Sequence, residues 1–202
     1  MALTVYDNAL SSNALKVRFL LAELDLPYHR VEVPLERPRP DWYVSVNPQA
    51  GVPTIDDGGL VLSESNAILR YLAAREGRAD LYPPDLRERA RVDRLLDAWS
   101  TFVRPAIFPL ELACGVFGSR DVAAAAAALD GAQDALAALE ALVDDGGTMT
   151  GSFTIADVCA APTLFRSEHA ELPLEWSRLP RLALIRSTVT ARPAFAAAGP
   201  VR

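Results

Sequence analysis

Up to Glu76 the hydrophobic period alternates between that of strands and that of helices, and the order of the switches narrows the folds open to the chain. Leu3 to Tyr6 is a short β-prone run. After a polar break from Asp7 to Asn13, residues Ala14, Val17, Leu20, Leu21 and Leu24 recur at helical spacing. Ser11 or Ser12 stands where a helix cap belongs. Pro27 ends the helix, and Tyr28 to Val33 alternates, with His29, Val31 and Val33 on one face. A β-α-β unit implies parallel strands joined by a right-handed crossover. Pro34 to Pro48 is rich in proline and charge, a connection with at most a short helix around Asp41 to Val44. Val52 to Ile55 and Leu60 to Leu62 then flank Asp56-Asp57-Gly58-Gly59. That is a hairpin signal centred on Asp57-Gly58, so the second pair of strands is antiparallel. A helix with Ile68, Tyr71 and Leu72 on its inner face completes β-α-β followed by β-β-α.

The pattern then changes character. Gly77 to Leu86 holds Gly77, Pro83 and Pro84 and no period, and reads as a linker (77–86) between domains 1–76 and 87–202. Everything after it is helical. Val92, Leu95, Leu96, Trp99, Phe102 and Val103 make one stripe, which Pro105 and Pro109 kink or end. Further stripes run from Leu129 to Val143, from Ile155 to Phe165 and from Leu182 to Val189, and Pro193 begins a short last turn. The expected fold class is a small α/β domain with a mixed four-stranded sheet, followed by an all-α bundle.

Composition excludes several functions. The net charge of −6 argues against nucleic acid or an anionic membrane as a general partner, since both require a basic footprint. Two cysteines, Cys114 and Cys159, are too few for a disulfide framework, and no Cys-x-x-Cys pair offers a metal site. The N-terminus is too short and too polar for a signal peptide, and no apolar run reaches the roughly 18 residues of a membrane span. A cytoplasmic protein without a metal is expected.

Three local features carry chemistry. Ser11-Ser12-Asn13 sits at the start of the first helix, where free N–H groups and the helix dipole favour an anion and lower the pKa of a nearby thiol. Val52-Pro53 opens a strand, where proline belongs at an edge, at a strand start or in a cis bond. A cis bond there turns the Val52 backbone outward to pair with an extended peptide. Glu64-Ser65 precedes the next helix, offering a carboxylate for an ammonium group beside N–H groups for a carboxylate. Those two sites side by side match an α-amino acid head group. Each feature alone is better read as a helix cap, a trans edge proline and an acidic first turn.

In order along the chain, these stretches resemble the glutathione S-transferase superfamily. Asn47-Pro48-Gln49-Ala50-Gly51-Val52-Pro53-Thr54-Ile55 is similar to the family's segment through its cis-proline. Leu62-Ser63-Glu64-Ser65-Asn66-Ala67-Ile68 is similar to its Glu-Ser motif. Gly151-Ser152-Phe153-Thr154-Ile155-Ala156-Asp157-Val158 is similar to its C-terminal capping motif, where Thr154 and Asp157 make a capping box before an apolar run. The resemblance implies a thioredoxin-like first domain, glutathione as co-substrate, and a cytoplasmic, detoxifying transferase that forms homodimers through the helices after Glu64 and Arg87. It implies that Ser11 activates the thiol, with Ser12 and Asn13 beside it. Val52 would pair with the cysteinyl backbone, Pro53 would be cis, and Glu64 and Ser65 would hold the γ-glutamyl end. Gly51 stands where many members carry lysine or glutamine for the glycyl end, a contact that Gln49 would supply instead. Tyr6 lies within the first strand and no cysteine fills the activating position, which disfavours the cysteine-type branch.

For the second substrate, the resemblance implies a small hydrophobic electrophile held between the domains. Phe102 and Phe108 are the expected walls, with Phe117 a further candidate, while Trp99 and Val103 read as core. Two alternatives accompany this reading. Ser11-Ser12-Asn13 with Lys16-Val17-Arg18 also resembles the Ser-Ser-Cys start of zeta-type members, which isomerise maleyl-type double bonds, with Asn13 replacing the cysteine. The same fold also serves as a non-catalytic binding module.

Overall fold

The structure is a computed structural model that describes residues 3–199. It divides into two compact units. One runs up to Arg78 and includes the segment from Pro193 onward, and the other is Ala79–Arg192.

The first unit is built on a four-stranded sheet in the order β2-β1-β3-β4. Strand β1 (Leu3–Asp7) pairs in parallel with β2 (Tyr28–Glu32) and antiparallel with β3 (Thr54–Asp57), which pairs antiparallel with β4 (Leu60–Ser63). This is the mixed four-stranded sheet that the sequence order predicts, in the thioredoxin-like form that the resemblance implies. Helices α1 (Ser12–Glu23) and α3 (Ser65–Arg75) pack against each other, burying Val17, Leu20, Leu21, Ile68, Leu69 and Leu72 with Leu3, Val5 and Ile55 of the sheet. Leu69 rather than Tyr71 belongs to the buried face of α3. Tyr71 instead donates its hydroxyl to Asp57 Oδ2 at 2.6 Å. Tyr6 points away from the sequence of core positions on β1 and rests its ring on Trp42 and Tyr43 of α2 (Asp41–Val46), at 6.4 and 5.8 Å.

The hairpin turns one residue later than its sequence signal. Gly58 and Gly59, both at positive φ (64° and 99°), form the turn, and Gly59 N–H donates to Asp56 Oδ1 at 2.8 Å. Two consecutive positive φ angles suit the strand twist and favour glycine at both places. At the end of β1, Asp7 is buried and receives both Arg18 Nη1 (2.7 Å) and Arg30 Nε (2.6 Å). This charge-assisted pairing joins β1, α1 and β2. Arg18 Nε also donates to Ala198 O at 2.9 Å. The last helix, α9 (Pro193–Ala197), lies on α1, with Phe195 edge-on to Phe19 at 5.2 Å. The sequence reading places this segment with the helical domain.

The second unit is helical: α4 (Leu86–Ala98), α5 (Arg104–Ala113), α6 (Val122–Glu140), α7 (Ile155–His169) and α8 (Pro180–Thr190), with a short 3-10 turn at Trp176–Arg178. A π-helical turn, Trp99–Val103, separates α4 from α5. Pro105 explains it, since proline supplies no N–H to an α-helical ladder and the chain widens there. Trp99 and Val103 are buried as expected, while the wider turn carries Phe102 out of the stripe and leaves it 52% exposed. Helix α6 corrects the membrane reading: it has 19 residues, and an 18-residue window of it reaches a mean hydropathy of 1.3, long and apolar enough to cross a bilayer by length and composition. Its alanines supply that value. Asp130 and Asp134 interrupt it, and Ala132, Leu136 and Leu139 are buried in a helix that packs chiefly on α5.

Candidate functional site

In the first unit a cavity of about 250 Å³ opens between the start of α1, the loop before β3 and the β4–α3 corner. Asn13 lines it from α1; Asn47, Gln49, Gly51, Val52 and Pro53 from the loop; Ser63, Glu64 and Ser65 from the corner. All three sequence features therefore meet at one opening.

Each wall has a local cause. The Val52–Pro53 peptide is cis, as is Arg37–Pro38 in the preceding connection, which the sequence reading did not anticipate. The loop between Asn47 and Thr54 is held from beneath by polar side chains. Asn47 Nδ2 donates to Gly51 O and to Thr54 Oγ1, both at 3.0 Å, and its Oδ1 accepts from Gln49 N at 3.0 Å. The buried Tyr43 hydroxyl bonds Gly51 O and lies 2.9 Å from Thr54 Oγ1. The Gly51 carbonyl is thus committed to the scaffold. Gln49 Oε1 accepts from Ser63 Oγ at 3.4 Å, which leaves its amide N–H groups for a ligand.

At the corner, Glu64 is the residue before α3, at φ 67° and ψ 108°, and makes no side-chain cap hydrogen bond. A non-glycine residue at positive φ costs of order 1–3 kcal/mol and occurs where the surroundings impose it. The result is a carboxylate at the cavity beside a helix start whose first N–H groups are not taken by its own cap.

At the start of α1 the three candidates separate. Ser11 is the N-cap and its Oγ accepts from Ala14 N at 3.2 Å; Ser12 is buried; Asn13 alone of the three lines the cavity. Accepting one bond leaves the Ser11 hydroxyl hydrogen for a second partner. The loop before it is pinned by Asn8, whose Oδ1 accepts from Leu10 N (3.0 Å), whose carbonyl accepts from Ser11 N (3.0 Å), and whose Nδ2 donates to Val33 O (2.9 Å). Tyr6 faces α2 and has no place in this arrangement.

Asn8, Tyr43, Asn47 and Ser63 are the residues the sequence reading missed. Asn-Pro at 47–48 is a turn signal that points to Asn47. Nothing local points to Asn8 or Tyr43, whose bonds span up to 25 residues. Among the described residues no group of three or more His, Cys, Asp or Glu is placed to hold a metal. In the second unit, the rings of Phe108 and Phe117 meet at 6.0 Å, and both are exposed.

Comparison with known proteins agrees with this geometry. The family model "Glutathione S-transferase, N-terminal domain" matches residues 10–75 and "Glutathione S-transferase, C-terminal domain" matches residues 122–185. A crystal structure of the theta class glutathione S-transferase from Xanthomonas axonopodis pv. citri with glutathione bound is 32% identical, covers 100% of this chain and 98% of its own, and superposes with a TM-score of 0.87. Mouse glutathione S-transferase theta-3 is 31% identical over 204 residues, 95% of this chain and 83% of that protein. Glutathione S-transferase D7 of Anopheles gambiae is 52% identical over 62 residues, 30% of this chain and 28% of that protein. In the matches with that protein and with the rat and mouse theta-1 enzymes, the chain spans less than half of the relative's length. With both domain models in order and a relative above 30% identity matched over 83% of its length, the chain belongs to the glutathione S-transferase family, a family of transferases.

Proposed function

We propose that the protein is a glutathione transferase that joins the thiolate of glutathione to small hydrophobic electrophiles. The observation that supports this reading most is the single cavity collecting Asn13, the Gln49–Pro53 loop and the Glu64–Ser65 corner. In the proposed complex the outward backbone of Val52, beside Pro53, pairs with the cysteinyl residue as an added strand would. Glu64 takes the γ-glutamyl ammonium, and Ser65 with the α3 amides takes its carboxylate. Gln49 takes the glycyl carboxylate in place of the side chain that Gly51 lacks.

Ser11 is the proposed activating group. Its free hydroxyl hydrogen donates to the sulfur, and the α1 start, with Ser12 and Asn13, stabilises the thiolate. The thiol proton leaves to solvent. The sulfur then forms a bond to the electrophilic carbon, and the leaving group departs with its electron pair. The protein supplies ionisation and proximity. Phe102 and Phe108 are the proposed contacts for the electrophile. A homodimer and a cytoplasmic setting complete the proposal.

Retention on immobilised glutathione and consumption of thiol with 1-chloro-2,4-dinitrobenzene are the expected outcomes. No retention and no turnover with any electrophile would leave a non-catalytic binding module. Isomerisation of maleylpyruvate without net loss of thiol would instead establish the zeta-type chemistry. A light-scattering mass near 21.8 kDa, the mass of one chain, would overturn the dimer.

A further inference from the structure

The first unit has a second cavity, of about 420 Å³, that shares no lining residue with the one holding Val52 and Glu64. It lies between the last turns of α1, the start of β2 and the end of α9. Its apolar walls are aliphatic: Leu21, Ala22, Leu26, Pro27, Ala197 and Ala198. Three polar residues, Arg18, Asp25 and Tyr28, complete the lining.

Arg18 gives the cavity its chemistry. Its side chain is only 5% exposed, its Nη1 donates to both oxygens of Asp7 at 2.9 and 2.7 Å, and its Nε donates to Ala198 O. The Nη2 is buried as well, yet among the described residues nothing accepts from it. A guanidinium cannot shed its charge, and a buried donor without an acceptor is costly. The Tyr28 hydroxyl is a second donor in the field of the same charges. Burial raises its pKa, with Arg18 opposing and Asp7 adding to the shift, so it keeps its proton at neutral pH. Asp25 is exposed and stands seven residues beyond Arg18, about 10 Å further by helix rise. The carbonyl end of α1 is there too, and both are negative. One part of the cavity thus calls for an acceptor, and another rejects negative charge.

We propose that this cavity binds a short aliphatic monocarboxylic acid, with its carboxylate on Arg18 Nη2 and the Tyr28 hydroxyl and its chain along Leu21, Leu26, Pro27 and Ala197. A carboxylate makes charge-assisted bonds with these donors, which are stronger than those of a neutral carbonyl. The chain gains by leaving water for the aliphatic walls. Asp25 and the α1 carbonyls limit the ligand to one acidic group. The site is independent of the transferase reading: it uses no residue proposed for glutathione, and no bond forms or breaks in it.

The test uses hexanoate, hexanamide and adipate, which share a six-carbon chain and differ chiefly in charge. Each is titrated into the full chain labelled with nitrogen-15, and the dissociation constant is read from the amide shifts. Hexanoate is expected to move the amides of Leu26, Ala197 and Ala198 and to leave those of Gly51 and Ser65 in place. Hexanamide should bind about tenfold more weakly, the difference between a charge-assisted and a neutral hydrogen bond. Adipate should be weaker than hexanoate by about tenfold or more, because its second carboxylate loses water against aliphatic walls. Arg18 stays in place in every variant, since Asp7 depends on it. Tyr28→Phe should weaken hexanoate about fivefold through the lost donor. Ala22→Phe, which fills the cavity, should abolish the ligand-induced shifts at Ala197 and Ala198. If Ala22→Phe does not fold, Tyr28→Phe and the three-ligand series decide. No shift with hexanoate, shifts confined to Gly51 and Ser65, or equal binding of hexanoate with either analogue would overturn the inference and leave the transferase reading intact.

Discussion

At the start of α7 the capping residue and its helix bond one another, whereas at the start of α3 the capping residue makes no side-chain bond to the helix. Thr154 Oγ1 accepts from Ala156 N at 3.3 Å. Asp157 accepts from Thr154 N at 2.8 Å and from Met149 N at 2.7 Å, so the capping box also fastens the preceding loop. All of this is buried. At α3, Glu64 occupies the capping position with φ 67°, makes no cap bond, and borders a cavity. A helix start that satisfies its own amides is spent on stability. One whose cap makes no such bond, at the cost of backbone strain, puts its carboxylate at a cavity instead.

The largest expected effect breaks the closed start. Asp157→Ala removes two backbone partners and the reciprocal cap, and should destabilise the fold by about 3 kcal/mol. Denaturant unfolding measures it, and a loss under 1 kcal/mol would show the box to be dispensable. The pH dependence of the same group is unusual for an aspartate. Burial pushes Asp157 up from 3.8 to about 6, against the amides of Thr154 and Met149, which favour its charged form. Between those values the native state holds a proton that the unfolded chain has released. Stability from this group is therefore present below pH 4 and lost as pH rises to about 6, by up to about 3 kcal/mol. Other carboxylates titrate in the same range, so the quantity to measure is the difference between the unaltered protein and Asp157→Asn. A difference that is flat from pH 4 to 7 would remove the shift.

The two starts were unequally legible in the sequence. Thr154 and Asp157 stand at capping spacing before an apolar run, and a motif that acts on its own neighbours is visible locally. The periods that build β1, α1, β3, β4 and α3 are local in the same sense. The cavity was legible as three separate features, but the parts that hold it were not. Asn8 reaches Val33, and Tyr43 and Asn47 reach Thr54, through contacts that no pattern of neighbours encodes. Phase within a turn was equally hidden. Asn13 faces the cavity while Ser12 is buried, and the π turn exposes Phe102 while Trp99 and Val103 of the same apolar stripe stay buried. The packing of α9 on α1 had no local signal either.

A smaller effect sharpens the contrast at the open start. Glu64→Gly relieves the positive φ and should raise stability by about 1 kcal/mol. It should also weaken glutathione binding by about tenfold or more, because the proposed ammonium partner is gone. Calorimetric titration and unfolding, run on the same sample, should thus move in opposite directions. Glu64→Gln keeps the strain and loses the charge, so it should lose affinity without gaining stability. Unchanged affinity in both variants would mean that the carboxylate does not serve the ligand.

The start of α1 lies between these two cases, and its variant should show the smallest effect. Ser11 both caps its helix, through Ala14 N, and keeps a hydrogen to give. Ser11→Ala should cost about 1 kcal/mol of stability as a lost cap. Its kinetic signature differs from that of a cap. The pKa of bound glutathione should rise by about one unit, so conjugation falls about tenfold near neutral pH and recovers in alkali, where the thiol ionises unaided. Asn13→Ala separates the two neighbours, because Asn13 lines the cavity and makes no cap bond to α1. If the alkaline recovery appears in Asn13→Ala and not in Ser11→Ala, thiol activation belongs to the amide, and Ser11 is a cap like Thr154.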